Sequence, residues 1–154
     1  MANQYFKFKY GVPPVPERLY HLLLYDVGKL EESDWEGDKS IYSTYHVQEE
    51  LQTWIQSYFD FPVIVNYQVM EKAVHIHRDS NRILCWNYII KTGGPKVTTR
   101  WWNDDETEII QSVVFRPHCW YELNVKQKHD IIGVEGHRVA ITVWQDPVVG
   151  FKEL

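Results

Sequence analysis

Two periods of apolar residues divide the chain. Over residues 44–60, Val47, Leu51, Trp54, Ile55 and Tyr58 recur at three- and four-residue steps, which predicts a helix with one apolar stripe. Ser43 or Thr44 can cap its start, Glu49 and Glu50 stand near the positive end of its dipole, and Phe61-Pro62 ends it. From residue 62 the period shortens. Runs rich in Val, Ile, Thr, Tyr and Trp follow at about 63–69, 73–78, 83–91, 96–102, 108–115, 119–125, 129–134 and 137–145. Turn residues separate most of them: Asp79-Ser80-Asn81, Gly93-Gly94-Pro95, Asn103-Asp104-Asp105, Pro117 and Gly136. Strands at this spacing predict an all-β sandwich or barrel, with the helix covering the outer face of a sheet.

Upstream, Pro13, Pro14 and Pro16 mark a loop or an extended lead-in. Residues 17–27 fit either a short helix, opened by Pro16 and stopped by Gly28, or a buried strand. Residues 29–42, rich in acids and holding Gly37, read as a surface loop. No repeat, low-complexity segment or linker splits the chain. Residues 1–154 therefore read as one domain, with 1–61 supporting a β core over 62–146.

Composition narrows the class. An aromatic fraction of 15%, with seven Trp and ten Tyr, predicts a packed chain rather than a disordered one. A net charge of −5 disfavours a general nucleic-acid binder. The first ten residues lack an apolar signal core and no run approaches transmembrane length. The expectation is a soluble cytoplasmic protein without nucleic-acid or membrane partners. Cys85 and Cys119 form no CxxC motif and read as reduced thiols in apolar runs.

The chemistry gathers between His77 and Arg138. Strand side chains at i and i+2 share a face, so His75, His77 and Asp79 are expected to line one side of a strand and its exit. A histidine and a carboxylate spaced H-x-D offer a neutral nitrogen and a hard oxygen. A second histidine from a distant strand closes a triangular face and leaves the opposite positions open, the geometry of non-haem iron sites. His129 is the candidate for that ligand. Arg138 follows nine positions later, across a turn at Glu135-Gly136, and a hairpin there places it one strand deeper than the metal. A guanidinium inside a barrel needs a charged partner: a core acid such as Glu122, or a dicarboxylate cosubstrate held by a planar clamp. His75 is a candidate for orienting a metal ligand or for a structural role, and His118 and His137 read as loop or outward-facing. Trp101 and Trp102 are pocket or core aromatics. Arg82 and Asn87 are pocket candidates without an assigned role.

Residues 62–146 resemble the 2-oxoglutarate- and Fe(II)-dependent oxygenase superfamily, in particular its small prolyl-hydroxylase-like members from bacteria and phages. The signature is H-x-D, a distal H and an R beyond it, here His77-x-Asp79, His129 and Arg138. Asn66-Tyr67, Gly93-Gly94 before Thr98-Thr99, and Trp120-Tyr121-Glu122-Leu123-Asn124 are further echoes. The resemblance implies a mainly β double-stranded β-helix (a jelly-roll, cupin-like barrel) with one or two N-terminal helices packed outside. It implies Fe(II) on His77, Asp79 and His129, and 2-oxoglutarate with its far carboxylate on Arg138. Thr99 and either Tyr67 or Gln68 are implied as further cosubstrate contacts. The implied reaction uses O2 to hydroxylate an unactivated C–H bond of a peptide or small-molecule substrate, in the manner of prolyl or aspartyl hydroxylases, with release of succinate and CO2.

Three positions depart from the pattern. Ala140 stands where Ser or Thr is usual. Gln68 stands where Tyr is usual, Tyr67 fitting only if a bulge adds a residue. Lys72 or Ala73 replaces a Gly before the ligand strand. Two other readings remain open: a cupin-like metal protein that does not use 2-oxoglutarate, and a non-catalytic β-barrel binding protein. His75-x-His77 suits the first, but Asn81 and Arg82 stand where a cupin glutamate would follow.

Overall fold

The structure is a computed structural model, and it describes residues 4–20, 42–79 and 82–147. Its strands are β1 (Phe6–Phe8), β2 (Ser43–His46), β3 (Val63–Met70), β4 (Val74–His77), β5 (Leu84–Lys91), β6 (Thr98–Trp102), β7 (Ile109–Val113), β8 (Trp120–Asn124), β9 (His129–Ile132) and β10 (Arg138–Gln145). One helix, α1 (Glu49–Gln56), and a 3-10 turn at Glu17–Leu19 complete the described elements. The predicted strands after residue 62 are all present, each within two residues of its expected ends.

Two antiparallel sheets face each other, one in the order β1-β8-β5-β10-β3-β2, the other β4-β9-β6-β7. From β3 onward the chain passes back and forth between them. β3, β5, β8 and β10 fall in the larger sheet and β4, β6, β7 and β9 in the smaller. This is a double-stranded β-helix, the jelly-roll barrel, built by residues 63–145. β9 and β10 therefore lie in opposite sheets, and the expected hairpin at Glu135-Gly136 does not form. The chain leaves β9 through Gly133, at φ +82°, where a Cβ would stand 2.6 Å from the Lys96 carbonyl oxygen. Only glycine fits that close approach, and it sends the backbone across the barrel.

The N-terminal part differs from expectation. Ser43–His46 does not begin the helix; it adds β2 to the free edge of β3, from Ser43↔Val69 to His46↔Asn66. An unpaired edge offers these residues backbone hydrogen bonds that outweigh their place in a helical stripe. Gln48, extended, precedes α1, and neither Ser43 nor Thr44 caps it. α1 ends at Gln56, before Phe61-Pro62, with the Ser57 hydroxyl donating to the Trp54 carbonyl at 2.6 Å. Of the 17–27 segment, the 3-10 turn is described; the rest, and most of the acidic 29–42 stretch, lie outside the described residues.

Strand alternation sorts the core into two layers. Outward from the larger sheet, Val63, Val65, Tyr67 and Val69 of β3, Trp86 and Tyr88 of β5, and Ile141 and Val143 of β10 pack under Val12, Val15, Leu19 and α1. Leu51 and Ile55 are the fully buried stripe of α1. Each contributes about 1.5–3 kcal/mol by leaving water. Between the sheets, Cys85, Ile89, Trp101, Tyr121, Leu123 and Ala140 fill the barrel. Both cysteines are free thiols. No helix among the described residues is long and apolar enough to cross a membrane.

Candidate metal centre

β4 and β9 are the strands that present the candidate ligand histidines. Their register pairs Val74 with Ile131 and His77 with His129, so β4 carries one residue more than β9 over that span. Such a bulge breaks the i, i+2 rule. Val74 and His77 both line the barrel interior, while His75 is exposed. The expectation that His75 and His77 share the site-facing side is thereby corrected. His75 contributes through its backbone instead: its carbonyl oxygen lies 2.9 Å from His77 Nδ1. On β9 the Gln127 carbonyl oxygen lies 2.7 Å from His129 Nδ1. A carbonyl only accepts, so Nδ1 of each ring carries a proton, and Nε2 is the nitrogen each ring turns to the site.

Those two Nε2 atoms lie 3.6 and 3.9 Å from one oxygen, Asp79 Oδ1. Asp79 sits just past β4, its backbone N–H held by the Val125 carbonyl at 2.9 Å. One ligand atom from each of the three residues falls within 4.8 Å of the others. Atoms about 2.1 Å from one ion stand about 3.0 Å apart at right angles, so a small inward movement suffices. Two neutral imidazoles and a carboxylate on one side suit a divalent first-row ion with its far side open. His129 is held below its ordinary pKa by burial first and by the neighbouring His77 second. That keeps it neutral, as a ligand must be.

Beside the centre is a narrow chamber of about 50 Å³, lined among others by Gln68, Met70, Val74, Asn87, Thr99 and Trp101. Arg138 enters it from the opposite sheet. Its register partner is Met70, which packs with Val74 and Ile131. Ile131 is two residues along β9 from His129, about 7 Å of strand. Arg138 is 5% exposed, and burial alone pushes its pKa down to about 10. No carboxylate among the described residues pairs with it. Glu122, the core acid considered for it, instead bonds Lys7 and Trp86 on the outer face. Thr99 is also buried in the chamber, and its Oγ1 has no hydrogen-bond partner. A buried guanidinium and a hydroxyl without a hydrogen-bond partner thus face one space.

Of the expected cosubstrate contacts, the structure brings Arg138, Thr99 and Gln68 to the chamber and leaves Tyr67 out. β3 pairs with β10 without a bulge from Val63 to Met70, so Gln68 faces in and Tyr67 faces α1. The Tyr67 hydroxyl donates to Gln48 Oε1. Ala140 faces inward with only a methyl group. Trp101 floors the chamber, whereas Trp102 lies on the other face of β6, against Arg100. His137 pairs with Glu71 at the surface. The residue the sequence left without a role is Arg82, whose Nε donates to Asp79 Oδ2 at 2.7 Å. An arginine three positions after a ligand carboxylate was the available signal.

No family model matches the chain, and no curated protein matches it. Solved structures with a related course include an oxalate decarboxylase of Lactobacillus farciminis in complex with formate, at 9% identity and TM-score 0.49, covering 80% of this chain and 33% of that one. Bacillus subtilis oxalate decarboxylase, studied for its Mn(II) centres, matches at 13% and 0.46, over 75% of this chain and 28% of that one. A deletion mutant of the Bacillus enzyme matches at 13% and 0.48, over 79% and 29%. The chain spans about a third of the length of these proteins or less. At such identities and scores the likeness says nothing of chemistry. Strand order and the converging His77, Asp79 and His129 define this chain as a double-stranded β-helix with a candidate metal centre.

Proposed function

We propose that the chain is an Fe(II)- and 2-oxoglutarate-dependent oxygenase that hydroxylates an unactivated C–H bond, on a peptidyl or small-molecule substrate, with release of succinate and CO2. The observation that carries this reading is Arg138: a buried guanidinium in the chamber beside the three candidate ligand side chains, with no acid paired to it among the described residues. A buried cation of this kind calls for an anion from outside. A diacid that reaches from the metal to Arg138 meets the requirement at both ends.

Each residue then has a stated task. His77, Asp79 and His129 hold the ion from one side. Arg138 pairs with the far carboxylate in a two-bond clamp, and Thr99 Oγ1 donates to it. Val74, Ile131 and Trp101 keep water from the chamber, which strengthens the charged contacts. Ferrous iron, when bound, supplies the oxygen chemistry that no side chain can.

A second reading, a cupin-like metal protein that does not use 2-oxoglutarate, is favoured by the chamber's volume of about 50 Å³, small for a five-carbon acid. Under the first reading the flexible Gln68 and Met70 side chains yield to the ligand. Calorimetry on Mn(II)-loaded protein separates the two. The oxygenase reading expects 2-oxoglutarate to bind in wild type and not in Arg138→Met, and succinate to be released with Fe(II) and a panel of peptides and metabolites. Metal binding with no response to 2-oxoglutarate in either protein establishes the cupin-like reading instead.

A further inference from the structure

We propose that Arg82 is a positioning residue of the metal centre, which holds Asp79 to ligation through one oxygen. The inference rests on the reading of His77, Asp79 and His129 as metal ligands. The two oxygens of Asp79 have different surroundings. Oδ1 faces the Nε2 atoms of both histidines. Oδ2 accepts from Arg82 Nε at 2.7 Å. The torsion that turns a carboxylate is broad, so an aspartate left to itself exchanges its oxygens or offers both. A charge-assisted bond to one of them fixes the plane.

Arg82 can impose that plane because it is itself fixed. Its side chain is 9% exposed. Its guanidinium carbon sits 4.1 Å from the centre of the Trp144 ring, a cation–π stack. The Tyr42 hydroxyl shares a hydrogen bond with it. Trp144 belongs to β10 in the larger sheet, whereas Asp79 leaves β4 in the smaller one. The guanidinium thus ties the ligand carboxylate to the opposite wall of the barrel. An octahedral ion has six positions. His77, His129 and a single oxygen fill three, where a chelating aspartate would take a fourth, and three stay open for exogenous ligands.

The test uses the full chain loaded with Mn(II) or Co(II) alone, in wild type, Arg82→Gln, Arg82→Lys and His77→Ala. The expected result is a Mn(II) dissociation constant 10–100-fold weaker in Arg82→Gln, the range for loss of a group that orients a ligand. Arg82→Lys, which keeps charge and a donor but not the planar stack, falls between. Both change the shape of the Co(II) visible absorption, because Asp79 no longer binds through one oxygen. A role confined to core packing on Trp144 lowers the unfolding temperature and leaves both readings at wild-type values. Wild-type affinity and a superimposable Co(II) spectrum in the folded variants overturn the proposal. Should Arg82→Gln not fold, Arg82→Lys decides on the same two readings. Wild type that binds neither ion, or binds both as well after His77→Ala, fails the metal reading itself, a result distinct from failure of the Arg82 role alone.

Discussion

Arg138→Met is expected to stabilise the metal-free protein while removing its affinity for 2-oxoglutarate. The guanidinium is buried with no carboxylate paired to it among the described residues, and burial alone pushes its pKa down to about 10. One unit is about 1.4 kcal/mol, so the charged form carries a penalty of about 3 kcal/mol at neutral pH. The surroundings relax around a real charge, and the arginine stem packs usefully, so the net gain on substitution is about 1–3 kcal/mol. For a chain of this length that is a rise of roughly 3–10 °C in Tm. The pH dependence has a definite sign. Above about pH 10 the unfolded chain still holds a proton the fold has released, so wild-type stability rises with pH there. The variant's advantage is therefore complete at neutral pH and shrinks above about pH 10. Urea unfolding of both proteins, followed by tryptophan fluorescence, measures it. Repeated with Mn(II) and 2-oxoglutarate, the midpoint should move in wild type and stay in the variant. A metal-free variant less stable than wild type, with its ligand response intact, would refute the idea that this charge awaits an anion.

Three other outcomes are expected. His129 is held below its ordinary pKa by burial and by His77, so the unfolded chain binds the extra proton first. Metal-free stability should fall as pH drops below about 6.5, and denaturant midpoints across that range check it. Gly93, at φ +84°, sits where a Cβ would meet Arg138 Cβ at 3.0 Å and its Cα at 3.2 Å. Gly93→Ala should cost about 1–3 kcal/mol and, in calorimetry, weaken 2-oxoglutarate binding more than Mn(II) binding. Ile55→Ala removes a fully buried side chain of α1 and should cost about 2–5 kcal/mol in urea unfolding while Mn(II) affinity stays unchanged.

The barrel was legible because its strands are written in β-branched and aromatic residues punctuated by turn chemistry, a local signal that survives into the fold. Where long-range pairing decides, local pattern failed. Thr44 and Tyr45 lie next to a helical stripe, yet the open edge of β3 takes them as a strand. The bulge that turns His75 outward depends on how β4 meets β9, which no property of β4 announces. The sheet switch after β9 depends on Gly133 reaching the Lys96 carbonyl. The sequence left open whether Gln68 or a bulged Tyr67 faces the cosubstrate, and the unbroken β3–β10 register turns Gln68 inward. In the site, residue types in a set order along the chain, with the family resemblance they carry, pointed to His77, Asp79, His129 and Arg138. For Arg82 the sequence offered only its place three positions after Asp79; what decides its part, the orientation of one carboxylate and the position of Trp144 on a distant strand, leaves no local mark.

The most direct measurement is an anaerobic titration of the Fe(II)-loaded protein with 2-oxoglutarate, watched in the visible. A weak charge-transfer band should grow only when both are present. It should vanish in His77→Ala and Asp79→Ala, and require far more 2-oxoglutarate in Arg138→Met. A folded, iron-loaded wild-type protein that shows no band at any concentration of the acid contradicts the account.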